Sequence, residues 1–132
     1  NMILDKDTIQ KINLIENITS AKVKDIIIKE RIIIIVEQGE IGKAIGVKGK
    51  NIRTIENLMH KKIKIIEFDN DPIRFTRNFI YPLKAEISVN NEILIKVNDR
   101  KTKGLLIGRE SRNLIDLNRL TQDYFNLNTK IL

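Results

Sequence analysis

The feature that most constrains this chain is that it is written twice. Placed over one another, "IGVKGKNIRTIENLM" (45–59) and "IGRESRNLIDLNRLT" (107–121) align Ile45 with Ile107, Gly46 with Gly108 and Asn51 with Asn113. Ile52 meets Leu114, Ile55 meets Leu117 and Leu58 meets Leu120, all at an offset of 62 residues. Upstream, "RIIIIVEQGE" (31–40) faces "EILIKVNDRK" (92–101), with one residue of slip between strand and helix. The chain has 132 residues, so each copy is about half of that and must build its own small core. Apolar residues make up 42% and aromatic residues only 5%, so that core is aliphatic and dominated by Ile.

The first copy opens with Asp5-Lys6-Asp7-Thr8, residues that start helices, and Ile9, Ile12, Leu14 or Ile15 and Ile18 follow at helical spacing. "AKVKDIII" (21–28) and "RIIIIVE" (31–37) read as strands joined by a tight turn at Lys29-Glu30. A short helix over 40–45 and a longer one over 50–60 follow, the latter with Ile52, Ile55, Leu58 and Met59 inward; "KKIKIIEF" (61–68) is a third strand. "DNDP" (69–72) then punctuates the chain, with Pro72 suited to a first helical turn. The second copy repeats the order: a helix over 73–81 with Phe75, Phe79 and Ile80 on one face, strands at 84–90 and 92–98, helices at 100–107 and 111–125, and a strand at 129–132. The fold class is α+β, two units of α-β-β-α-α-β, residues 2–68 and 69–132, with a junction helix at about 72–82. The junction 69–83 contains no Gly or Ser run, so the units are expected to dock rigidly rather than hang on a flexible linker.

Charge is concentrated where the copies match. Residues 39–53 hold Lys43, Lys48, Lys50 and Arg53 against Glu40, a net of +3. Residues 100–112 hold Arg100, Lys101, Lys103, Arg109 and Arg112 against Glu110, a net of +4. Together they account for the whole net charge of +7, which is the footprint expected for a polyanionic partner. Between the two predicted helices of the first copy stands Gly46-Val47-Lys48-Gly49. A helix–G-x-x-G–helix places backbone N–H groups at the positive end of the second helix, where a phosphate can sit. Glycine at those positions tolerates unusual φ/ψ and lets another backbone approach. Ile41, Ala44, Ile45 and Ile52 are expected to edge a smooth groove for bases. Four residues of G-x-x-G describe many ordinary turns. It is their place in the repeated unit, together with the focused charge, that favours an RNA clamp.

These residues carry a resemblance. The element order is that of the type II KH domain, and "IGVKGKNI" is similar to its helix–GxxG–helix signature. Two such units in tandem, with "LIENITSAKVKDII" (14–27) and the junction "LMHKKIKIIEFDNDPIRFTRNFIYP" (58–82), resemble the archaeal NusA-like family from Met2 onward. The resemblance implies single-stranded RNA binding and a role in transcription elongation or termination, with RNA polymerase or other transcription factors as further partners. It implies an RNA clamp at Gly46-Val47-Lys48-Gly49 and a second at Gly108-Arg109-Glu110-Ser111. With their neighbours, the residues expected to meet RNA extend to Lys43, Ile45, Lys50, Asn51 and Arg53 around the first loop, and to Lys103 and Arg112 beside Gly108 and Arg109 at the second. In the second loop Ser111 stands where the pattern has glycine, and Glu110 puts a negative charge where phosphate would pass.

Other readings fit less well. A Walker A loop ending at Gly49-Lys50 would need glycine at Ala44 and a hydroxyl at Asn51, so phosphoryl transfer is not expected and the chain reads as a non-enzyme without a cofactor. His60, the only histidine, sits at a helix end and reads as a surface or capping residue; Asp69 and Asp71 precede Pro72 and read as a helix start. A helix-turn-helix DNA binder shares the paired helices but rarely brings three strands to each. A KH protein of the ribosome or of ribosome assembly, binding ribosomal RNA, is the main alternative. Aromatic residues do not interleave with the basic windows, which argues against recognition by aromatic stacking. The longest apolar run, Ile32–Val36, is far short of the roughly 18 residues of a membrane span, and no signal peptide is evident. With no Cys, the composition suits a reducing, cytoplasmic setting.

Overall fold

The computed structural model describes residues 5–132. Residues 1–4, which include the expected start of the first unit at Met2, lie outside the described residues. The chain divides into two compact units that part between Asp69 and Asn70. The first contains helix α1 (Lys6–Thr19), strands β1 (Val23–Ile28) and β2 (Ile32–Val36), helices α2 (Ile41–Ile45) and α3 (Lys50–Met59), and strand β3 (Ile63–Glu67). The second contains α4 (Pro72–Ile80), β4 (Glu86–Val89), β5 (Ile93–Lys96), α5 (Arg100–Ile107), α6 (Arg112–Phe125) and β6 (Thr129–Ile131). Each unit holds one three-stranded sheet, β1-β2-β3 and β4-β5-β6, in which the first pair is antiparallel and the second parallel. This is the expected α+β fold, two KH-like units in tandem.

The helix starts follow from local chemistry. Asp5 caps α1 by accepting from the Thr8 N–H at 2.8 Å, and Asp99 caps α5 in the same way from Thr102 at 2.8 Å. Those bonds favour the ionised carboxylate, so both groups are held below the usual aspartate range. Asp71 caps α4 with Pro72 at its first position, as the "DNDP" signal requires. His60 closes α3 in the left-handed region at φ 56°, its N–H bonded to the Glu56 carbonyl.

The repeat extends to how each unit returns from helix to strand. Glu56 on α3 accepts from the Ile63 N–H at 3.1 Å, and Asn118 on α6, 62 residues later, accepts from the Thr129 N–H at 2.7 Å. The strands match at an offset of 61 residues, Ile32 with Ile93, and the glycines at 62, Gly46 with Gly108, so the second copy holds one more residue between them. The connection does not hold it, since 37–40 join β2 to α2 and only 97–99 join β5 to α5; the longer α5, Arg100–Ile107 against Ile41–Ile45 for α2, takes it up.

In the first unit the core gathers Ile15, Ala21, Ile26, Ile32, Ile34, Val36, Ala44 and Ile55. β2 is the central strand and every residue of it is buried, which explains its unbroken run of Ile and Val. In the second unit Phe75 is fully buried and meets Tyr124 and Phe125 edge-on at ring-centre distances of 5.4 and 5.8 Å. Phe75, Phe79 and Ile80 are buried together on α4, as their spacing predicts.

Two side chains expected inward, Ile9 and Leu58, are not. Ile9 is exposed on α1, where Ile15 rather than Leu14 takes the core position. Leu58 is 56% exposed, because adjacent helical residues point about 100° apart and packing selects Met59 instead. Ala44 errs the other way: it is 1% exposed, so it belongs to the core and cannot edge a groove.

Candidate nucleic-acid interface

The glycine turn joins α2 to α3 through a single 3-10 turn, Val47–Gly49. Ile45 ends α2, half-buried, and Gly46 leaves it at φ 79°, ψ 166°. Lys48 at φ 53° and Gly49 at φ 75° both lie in the left-handed region, where glycine is favoured and lysine is strained. The turn is closed by the Gly49 N–H bonded to the Gly46 carbonyl at 3.0 Å. Val47 stands at the tip, 82% exposed, which is an unusual place for a large apolar side chain. No side chain caps the N-terminus of α3, so its positive end faces outward beside Lys48 and Lys50, both exposed.

The flanking polar residues make bonds to one another and to the backbone around the turn. The Lys43 ammonium lies 3.5 Å from Glu40. Glu40, which the sequence did not mark as part of the site, also accepts from the Lys22 N–H at 2.8 Å. That backbone bond, with Lys43 beside it, holds the Glu40 carboxyl below the usual range. Asn51 donates its amide to the Lys43 carbonyl at 2.8 Å, tying the first turn of α3 to the last turn of α2. The Arg53 guanidinium, on an exposed residue, donates to the Lys48 carbonyl and so braces the loop.

The second loop repeats this geometry with different residues. Gly108 has φ 79°, ψ 168°, Glu110 has φ 53°, ψ 31°, and Ser111 has φ 62°, ψ 17°. Asn113 donates to the Leu105 carbonyl at 2.9 Å, matching Asn51. The chemistry of the rim differs. By the repeat offset, Leu105 and Ile115 replace Lys43 and Arg53, and they are 52% and 53% exposed. Arg109 and Glu110 are exposed at the tip, while Arg112 and Lys103 are partly buried alongside.

No family model matches the chain. It is similar to the "Probable transcription termination protein NusA" of Methanocaldococcus jannaschii, 31% identical over 118 residues, which is 84% of this chain and 64% of that protein. The protein of the same name from Methanococcus vannielii is 30% identical over 117 residues, covering 84% of this chain and 68% of the relative. That of Halococcus morrhuae is 26% identical over 129 residues, covering 94% and 93%. The chain thus spans less than two thirds of the length of the Methanocaldococcus relative. Among solved structures, the crystal structure of APE1850 matches with a TM-score of 0.75 over 98% of this chain and 99% of that one, at 23% identity, a likeness of fold.

Proposed function

This chain belongs to the family of archaeal NusA proteins, and from that premise we propose that it binds single-stranded RNA during transcription elongation or termination. The RNA backbone is held at the Gly46–Gly49 loop of the first of two KH domains, residues 2–68 and 69–132. The observation that carries the proposal is the exposed Val47-Lys48 tip on a fixed left-handed turn, at the uncapped positive end of α3. Such an end attracts a phosphate through its free N–H groups and its dipole, and Lys48 and Lys50 add charge that salt screens. Lys43 contributes less, because Glu40 already lies beside it. The second loop has the same backbone but carries Glu110 at the position of Lys48, so it is the weaker clamp. RNA polymerase and other components of the transcription machinery are the partners that a NusA-family chain would meet.

The test is to place acids at the tip, Val47→Asp with Lys48→Asp. Both side chains are exposed, so the fold and the melting temperature should hold, while affinity for single-stranded RNA in a filter-binding assay should drop by at least tenfold. Retained affinity with unchanged melting would refute the assignment.

A further inference from the structure

The two loops share a backbone but not a sequence: Val47-Lys48-Gly49 in one is Arg109-Glu110-Ser111 in the other. Their φ and ψ nevertheless agree within 2° at the first glycine and at the strained residue, Lys48 or Glu110. Common to both are the first glycine and the asparagine five residues on. These two are packed against each other. A Cβ on Gly46 would fall 2.8 Å from Asn51 Cγ and 2.9 Å from the Asn51 backbone nitrogen, and a Cβ on Gly108 would fall 2.7 Å from Asn113 Nδ2. The asparagine amide lies in the space the glycine leaves and bonds back to the carbonyl eight residues earlier. In the second unit the Asn113 Oδ1 is buried with no hydrogen-bond partner, so only the donating half of the amide is used.

We propose that Asn51 is a positioning residue of the RNA clamp: its amide locks α2 to α3 and thereby fixes the Gly46–Gly49 loop before RNA arrives. It holds the loop's amides in place rather than contacting RNA itself. On this account Gly46 is required chiefly to admit Asn51, and Gly49 to let RNA approach. The proposal rests on the RNA-clamp reading for its effect on binding, but its effect on the free loop does not.

The experiment uses the whole chain without RNA, reading backbone amide order parameters by NMR, followed by RNA affinity. In Asn51→Ala the Gly46–Gly49 amides should fall from about 0.85 to below about 0.6, the β2 amides should stay rigid, and affinity should drop about tenfold. An unchanged loop overturns the proposal, and a drop in affinity with the loop unchanged would show that Asn51 touches RNA directly. Asn51→Asp guards against misfolding: it keeps the volume, cannot donate to a carbonyl, and suits a first helical turn. It should loosen the loop alone, and a rigid loop or a loosened β2 in this variant overturns the proposal. If the parent chain fails to bind RNA, the clamp reading falls while the loop measurement still decides the role of Asn51.

Discussion

Gly46 and Gly49 look equivalent in the sequence and differ in the structure. Both have positive φ, but a Cβ at Gly46 meets the backbone and side chain of Asn51 below 3 Å, whereas at Gly49 it meets only the end of the Arg53 side chain at 3.3 Å. The second unit confirms the asymmetry, since Ser111 holds the place of Gly49 at φ 62° while Gly108 remains glycine. Gly46→Ala is therefore expected to destabilise the first unit by about 1–3 kcal/mol, from strain and the clash together. Gly49→Ser should cost less, because a side chain is accommodated in that conformation one repeat later. Thermal melting of the two variants checks this, and equal losses would mean that the contact with Asn51 relaxes freely. Asn51 and Arg53 illustrate what the sequence did not reveal. Both read as RNA contacts, and each also bonds within its own unit, Asn51 to the Lys43 carbonyl of α2 and Arg53 to the Lys48 carbonyl of the loop. A signal was present for one of them: Asn recurs at 113, whereas the cation at 53 becomes Ile115. A residue that returns when the charges around it do not is more easily explained by local geometry than by ligand contact.

At the scale of elements, nearly every helix and strand was legible, because its cause is local. Asp5, Asp71 with Pro72, and Asp99 announce three helices by capping chemistry, and the run of Ile in β2 announces a central strand. What was not legible depends on packing. Leu58 and Met59 are adjacent and equally apolar, and only the neighbouring elements decide which of them turns inward. The preserved geometry of the second loop was equally hidden, because Glu110 and Ser111 gave no hint that φ and ψ would be kept. That loop consequently offers a gain-of-function prediction. Replacing Glu110→Lys removes a charge that repels phosphate, and Ser111→Gly permits closer approach at a φ that glycine prefers. Together they should strengthen single-stranded RNA binding by on the order of 1 kcal/mol, about fivefold, in a filter-binding titration. No gain, or a loss, would mean that the second loop receives something other than an RNA backbone.

For the molecule as a whole, the net charge of +7 falls entirely within the windows that hold the two loops. Among the described residues no helix is long and apolar enough to cross a membrane. Under the proposed function, that charge meets the phosphates of RNA. A KH unit takes about four nucleotides whose bases lie open, and its affinity falls with salt as phosphate contacts release counterions. The most direct measurement is a competition between single-stranded RNA of about eight nucleotides and a duplex of the same sequence, at two salt concentrations. The single strand should win by at least tenfold, and its affinity should fall with a log–log salt slope of roughly 0.7 per phosphate neutralised. A duplex that competes equally well, or an affinity indifferent to salt, would contradict the clamp.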